Sequence, residues 1–405
     1  MSSAQKLHVG ELRIGMYVSK LDRDWLDTPF IMQGFLIEDL EDIDILAEYC
    51  EYVWVDAKES VKSSDHTSNV GTASSARPSP AIYQSEIQQE HRKMYKTFRE
   101  ARSVTRDMLE NIRLGSAINS GQAKETVNEC VQSVIRHPDA LLWMSKIREK
   151  QEYTAEHCLN VCILAIAFGR QLGLSEPDLQ NLGLCGLLHD VGKMRVPAEI
   201  LDKPANLTDK EMRAMRAHTV HGRNLLMSSP GIFSGAIDAA YSHHERIDGE
   251  GYPRKIPGHG ISQFTKIISI VDAYDAMTGD RCYSPAITST EALKNIFHAK
   301  GTQFDEELSL KFLQTIGLYP PGSIVELYSG NVGIVIETNQ KYRHLPRVIV
   351  LLDENKAKQK EKIIDLAQVE AGELPRRFLI KQVWCDGSFG ILLREYYKKG
   401  LQLKR

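Results

Sequence analysis

The sequence predicts a mainly α-helical protein, with a central helical domain over residues 139–318, a small α+β module ahead of it and a β-rich extension behind it. Three observations predict this. Between Asp139 and Leu318 apolar residues recur at helical spacing, in runs broken at Gly173, Pro177, Pro204, Pro230 and Gly279, as amphipathic helices separated by breakers do. Beyond Pro320-Pro321-Gly322 the period drops to two, in Ser323–Leu327, Val332–Ile336 and Val348–Leu352, which marks strands. Lys62 to Pro80 is rich in Ser, Thr, Pro and Gly with almost no large apolar residues, the composition of a linker.

Taken in order, residues 1–60 form the first module. Val9 to Val18 alternates with glycine punctuation as short strands do, Ile37 to Tyr49 has helical spacing, and Tyr52–Val55 is a short apolar strand. Nothing in it clusters histidines or carboxylates, so a regulatory or interaction module is expected. Residues 61–84 are a flexible linker. Residues 85–138 carry helices from Ser85 to about Arg113 and from Ala123 to Ile135, stopping before Pro138. Bracing the central domain and forming a homodimer seam are both open to them. Residues 319–405 are the β-rich extension, whose Lys/Arg-rich end reads as a solvated face.

Composition narrows the partners. The 405 residues suffice for two or three domains, and 42% hydrophobic content is ordinary for a globular protein. A net charge of −3 with interspersed signs argues against bulk nucleic acid and against a polybasic membrane patch. No apolar run approaches the roughly 18 residues that span a bilayer, and Met1 to Gly10 lacks the apolar core of a signal peptide. Seven cysteines without a Cys-x-x-Cys fit a reducing cytoplasm. Cys158 and Cys162, one turn apart in an apolar helix, read as core thiols.

The chemistry lies in the central domain. Leu187-Leu188-His189-Asp190-Val191-Gly192-Lys193 sets an imidazole beside a carboxylate, with a lysine four residues after the histidine. A carboxylate can bridge two cations where an imidazole nitrogen cannot, and a bridged metal pair is suited to in-line attack on phosphorus. His157 opens a helix with Val161, Leu164 and Phe168 on its face; alone it reads as a core histidine. His218 lies in a helix beginning near the capping signal at Thr208, and His243-His244 closes the next helix. Two neighbouring ligands favour a dinuclear centre, because adjacent helical side chains diverge by about 100°. Asp272 sits within Ile267-Ile268-Ser269-Ile270-Val271-Asp272, where a carboxylate costs several kcal/mol unless it is paired or binds a metal. Five histidines and two aspartates thus sit at buried positions of five helices, a donor set that suits Fe, Mn or Zn better than Mg. The loop Glu245-Arg246-Ile247-Asp248-Gly249-Glu250-Gly251-Tyr252-Pro253 is a tight turn beside them, placed to shape substrate access.

Together these motifs resemble the HD-GYP domain of the HD phosphohydrolase superfamily, over Tyr153 to Phe312. The residues that carry the resemblance are Tyr153–His157, His189–Lys193, His218, His243–Arg246, Gly251-Tyr252-Pro253 and Asp272–Thr278. It implies an HD-type helical bundle that hydrolyses cyclic di-GMP to pGpG, GMP or both. It places His157, His189, Asp190 and Asp272 around one ion and Asp190, His218, His243 and His244 around a second, with Asp190 bridging. By the same resemblance Asp190 and Lys193 are catalytic. Lys193, Arg246, Gly251, Tyr252, Pro253 and Arg281 then face substrate, Lys193 contacting a phosphate oxygen or the bridging water. Members with a third metal carry a glutamate four residues before the first histidine; Tyr153 stands there, with Glu152 one place off, so two divalent ions are expected, Fe or Mn favoured over Zn, Ni or Mg. Ser284-Pro285 stands where the family often has basic residues, so part of the phosphate grip is expected to be weaker or supplied elsewhere. The alternative is a catalytically weak cyclic di-GMP sensor or adaptor that docks diguanylate cyclases of the GGDEF type through the Gly-Tyr-Pro loop; the intact ligand set favours the enzyme.

Overall fold

The structure is a computed structural model and describes residues 4–23, 35–37, 40–56, 80–136, 146, 153–279, 286–339, 342 and 344–398. Of the expected linker, residues 61–79 lie outside the described residues, and residues 80–84 already belong to a helix. Arg281, Ser284 and Pro285 also lie outside them. The chain divides into two compact units, 1–83 and 84–405.

The first unit is a four-stranded antiparallel sheet with a helix. Strands β1 (Ala4–His8), β2 (Tyr17–Leu21), β3 (Phe35–Leu36) and β4 (Tyr52–Asp56) pair in the order β1-β4-β2-β3, and α1 spans Leu40–Tyr49. Val53 and Val55 point inward and Tyr52 and Trp54 outward, the alternation that a half-buried strand requires. The stretch expected to begin as a strand at Val9 is instead a 3-10 turn over Val9–Glu11. His8 caps it by accepting from Gly10 N, and Glu11 reaches back to His8 N. A side chain that satisfies those amides locally competes with a sheet ladder.

The second unit takes all but the first four residues of α2 (Pro80–Arg113), then α3 (Ser120–Arg136), α4 (Tyr153–Gln171) and α5 (Glu176–Leu188). Both α4 and α5 are buried around most of their circumference, which is why neither shows a clean amphipathic stripe. Gly186 lets them approach closely, since a Cβ there would lie 2.8 Å from Cys162 Cα and 2.9 Å from Cys162 N. The two leading helices brace this pair. Arg102 of α2 meets the buried Glu156 of α4 at 3.0 Å, Arg170 donates to Val134 O at 2.8 Å, and Gln180 donates to Asn128 at 2.9 Å.

A 3-10 turn over Val191–Arg195 leads to α6 (Ala198–Leu201), α7 (Asp209–Arg216), α8 (His218–Met227), α9 (Ser234–Ser242), α10 (Gln263–Thr278), α11 (Ser289–His298) and α12 (Glu306–Ile316). The single helix expected from Thr208 through His218 is therefore two. A Thr208–Glu211 capping box starts α7. At its end the His218 ring takes the Met215 carbonyl at 2.8 Å, and the chain restarts at His218. Among the described residues no helix is long and apolar enough to cross a membrane.

The unit closes with β5 (Ile324–Leu327), β6 (Val332–Glu337), β7 (Arg347–Leu352), β8 (Lys358–Asp365) and β9 (Ile380–Trp384), then α13 (Leu393–Lys398). These strands form an antiparallel sheet ordered β8-β7-β6-β5-β9 over a core that includes Val325, Val335, Val348, Val350 and Ile364. The last two strands fall in the stretch read from sequence as mixed and basic. The edge strand Lys-Gln-Lys-Glu-Lys-Ile-Ile-Asp is mostly exposed, and charge on an edge discourages pairing with other chains.

Candidate metal centre

Five helices deliver their ends or inner faces to one buried point. His157 lies one turn into α4, His189 is the C-cap of α5, and Asp190 follows it at the start of the 3-10 turn. His218 begins α8, His243 caps α9 with His244 next, and Asp272 projects from α10. The Asp190 carboxylate sits at the middle. Its Oδ2 faces His157 Nε2 at 3.5 Å and His189 Nε2 at 3.3 Å; its Oδ1 faces His218 Nε2 at 3.3 Å and His243 Nε2 at 3.7 Å. Asp272 Oδ1 stands 3.0 Å from His157 Nε2 and 3.7 Å from His189 Nε2. His157, His189 and Asp272 form one donor group and His218, His243 and His244 another, each with ligand atoms within 4.8 Å of one another.

The outward-facing ring atoms are already engaged. Nδ1 of His189, His218 and His243 lies 2.7, 2.8 and 2.9 Å from the carbonyls of Gly186, Met215 and Ala239. A carbonyl only accepts, so in each neutral ring Nδ1 holds the proton and Nε2 presents a lone pair inward. His157 Nδ1 meets Asp275 Oδ2 at 2.8 Å. Such outer partners fix the tautomer and orientation of metal-binding imidazoles.

Electrostatics agrees with this arrangement. Burial pushes His218 down to about 4 and His243 to about 3, and it holds His244 well below the usual imidazole range. These three rings are neutral at pH 7, the form a metal needs. Burial also opposes charge on His189, but Asp190 and Asp272 outweigh it and push it up to about 10, so Nε2 carries a proton at pH 7 that a bound cation would displace. Burial would raise Asp190, yet Lys193 and His189 hold it well below the carboxylate range; burial likewise opposes the charge on Asp272, which His157 and His189 restore. The buried His189 Nε2 and Asp190 Oδ1 have no partner in hydrogen-bonding geometry. Inward lone pairs, two ionised carboxylates and orphaned buried atoms fit divalent cations, and the residues present can hold them.

The other nominated residues are placed as follows. Lys193 Nζ lies 2.5 Å from Asp190 Oδ2, so it reaches the centre through the carboxylate. Arg246 turns to Asp248, with Nη2 to Oδ2 at 2.5 Å, and to Gln303 at 3.3 Å. Tyr252 stacks on His244 with ring centroids 4.7 Å apart, and its N–H donates to His244 O at 3.2 Å. The Tyr252–Pro253 bond is cis. Gly251 is packed so closely that a Cβ would lie 2.5 Å from Arg246 N and Glu245 Cα and 2.6 Å from His244 O. The sequence reading missed two residues that fix this arrangement. Asp275 orients His157. The buried Glu245 ties down the loop by accepting from Arg254 N at 2.6 Å and Ile256 N at 3.2 Å. The one signal for Asp275 in the sequence is its place three residues after Asp272, on the same helical face, which does not by itself separate a buried carboxylate from a solvated one.

Two outcomes follow here. Asp275→Asn keeps the size but removes the charge that holds the His157 ring; metal affinity, measured by titration of the apoprotein, is expected to fall about 10- to 100-fold. Gly251→Ala forces backbone against backbone; the thermal midpoint should drop, corresponding to about 1–3 kcal/mol, and hydrolysis should fall with it.

Comparison with known proteins points the same way. Residues 140–308 match the HD domain and residues 4–123 a domain of unknown function, DUF3391. Cyclic di-GMP phosphodiesterase PA4108 of Pseudomonas aeruginosa is 35% identical over 380 residues, covering 92% of this chain and 91% of that protein. This chain belongs to the HD-GYP family. The 3'3'-cGAMP-specific phosphodiesterase 3 of Vibrio cholerae is 37% identical over 172 residues, 42% of this chain and 37% of that protein. The response regulator RpfG of Xanthomonas campestris pv. campestris, a cyclic di-GMP phosphodiesterase, is 39% identical over 137 residues, 33% of this chain and 36% of that protein. As an HD-GYP protein, the chain is a metal-dependent phosphohydrolase, and its histidines and aspartates supply groups that can bind metal.

Proposed function

We propose that this HD-GYP protein hydrolyses the phosphodiester bonds of cyclic di-GMP at a centre of two divalent ions, Fe or Mn favoured, giving pGpG, GMP or both. The observation that carries this is the division of Asp190. One oxygen faces His157 and His189 and the other faces His218 and His243, so each oxygen is available to a different cation. His157, His189 and Asp272 would complete one subsite, and His218, His243 and His244 the other. When bound, the ion pair lowers the pKa of water and neutralises charge developing on the phosphoryl oxygens.

The chain's own residues do the rest. Asp275, Gly186 O, Met215 O and Ala239 O keep the imidazoles aimed inward. Lys193, on Asp190, keeps positive charge beside the reacting phosphate and can hold a proton at Nζ for a departing oxygen. The Gly-Tyr-Pro loop, fastened by Glu245 and stacked on His244, forms one wall of the site. The close overall match to a cyclic di-GMP phosphodiesterase supports the substrate.

The test supplies cyclic di-GMP, 3'3'-cGAMP, cyclic GMP and GTP in turn to protein loaded anaerobically with Mn or Fe. Cyclic di-GMP should be consumed fastest, with pGpG, GMP or both as products. Preferential turnover of cyclic GMP or GTP would contradict the assignment, and faster turnover of 3'3'-cGAMP would move the substrate within the dinucleotide class.

A further inference from the structure

We propose that Arg216 is a substrate-binding residue that grips the second phosphate of the cyclic dinucleotide, the one not being cut. This deepens the reading above and rests on it. Arg216 ends α7, two residues before the ligand His218. Its guanidinium carbon lies 5.0 Å from the centroid of the Tyr252 ring, and that ring stacks on His244 at 4.7 Å. One cation–ring contact and one ring stack therefore separate the imidazole of His244 from an exposed cation.

Charge distribution singles it out. Of the cations nominated for substrate, the two among the described residues are engaged by carboxylates: Lys193 by Asp190 at 2.5 Å and Arg246 by Asp248 at 2.5 Å. Nearby Arg254 pairs with Asp238 at 3.5 Å, and Lys203 with Glu211 at 2.7 Å. Among the described residues Arg216 has no carboxylate partner, and its side chain is exposed. Contact with the Tyr252 ring holds the guanidinium in place by a cation–π interaction, and no carboxylate takes its N–H donors among the described residues. A planar fork of donors beside an anion site matches a phosphate in two-point fashion. A cyclic dinucleotide carries two phosphates: one takes the metal centre, and the other needs a cation further out. A cyclic mononucleotide has none to offer, so Arg216 also selects for dinucleotides.

The test compares metal-loaded wild type, Arg216→Ala and Arg216→Lys on cyclic di-GMP and on bis(p-nitrophenyl) phosphate, which has one phosphate. Metal content and binding of a phosphorothioate cyclic di-GMP by calorimetry are measured in parallel. For Arg216→Ala, KM for cyclic di-GMP and Kd for the analogue should rise roughly 10- to 100-fold. The loss of kcat/KM should exceed the loss on the small diester by at least tenfold, and Arg216→Lys should recover part of it by keeping the charge. Equal losses on both substrates, a fall in metal content, or unchanged KM and Kd would overturn the role of Arg216 while leaving the phosphodiesterase reading intact. Wild type that cleaves the small diester but not cyclic di-GMP would overturn both.

Discussion

Asp190→Asn should leave a folded protein that retains at most one ion per chain and loses cyclic di-GMP turnover by roughly a thousandfold. The substitution preserves shape, so it isolates charge. Asp190 is the sole carboxylate among the seven nominated ligands with an oxygen toward each histidine group. An amide offers one neutral carbonyl and an NH2 group that repels a cation, so it cannot bridge. The three neutral histidines at 218, 243 and 244 still bind one metal weakly, but the pair is gone. Metal analysis of the purified variant, with an activity assay and a circular dichroism spectrum, checks each part. Asp272→Asn should be milder, because Asp272 lies in one candidate donor group only.

Gly192→Ala should be the most damaging single-methyl change near the site, destabilising the protein by about 3–5 kcal/mol. A Cβ at Gly192 would lie 1.9 Å from His218 O, 2.4 Å from Gly222 N and 2.9 Å from Gly222 Cα. All three are backbone atoms, so no side chain can rotate aside. The 3-10 turn that follows Asp190 and the start of α8 must separate, and they carry the proposed bridging carboxylate and His218 of the proposed second subsite. Stability and metal binding should therefore fall together. The denaturant midpoint and the metal content of the soluble fraction measure both. A variant with wild-type stability would show that the turn and α8 can shift at little cost.

How much of this was readable from the sequence depends on what each residue contrasts with. Asp272 stood out because a carboxylate amid Ile267, Ile268, Ile270 and Val271 has no inexpensive explanation except pairing or metal. His189-Asp190 stood out because it ended an apolar helix. Asp275 did not, because beside Ala276 and Met277 it falls where a helix can equally turn to solvent, and only the fold shows His157 against it. Gly192 carried no signal of its own, since close approach of two backbones from distant segments leaves no local mark. The break at Ala217 was invisible because alanine is the best helix former, and what ends α7 is the His218 ring competing for a carbonyl. Arg216 was hidden by the same break, which sets it apart from His218. In the C-terminal sheet, β5 to β7 announced themselves by alternating apolar residues, while the charges of β8 concealed a strand whose partner ladder supplies the order.

The central claim is that two ions share Asp190 and that this pair cuts cyclic di-GMP. The most direct measurement is a metal count per chain on anaerobically purified protein, taken alongside the rate of cyclic di-GMP hydrolysis as metal is removed by chelation and restored. Two ions per chain at full activity, with hydrolysis lost as the count falls toward one and regained on refilling, is the predicted result. Full activity at one ion or fewer, or no hydrolysis with two ions bound, would contradict it.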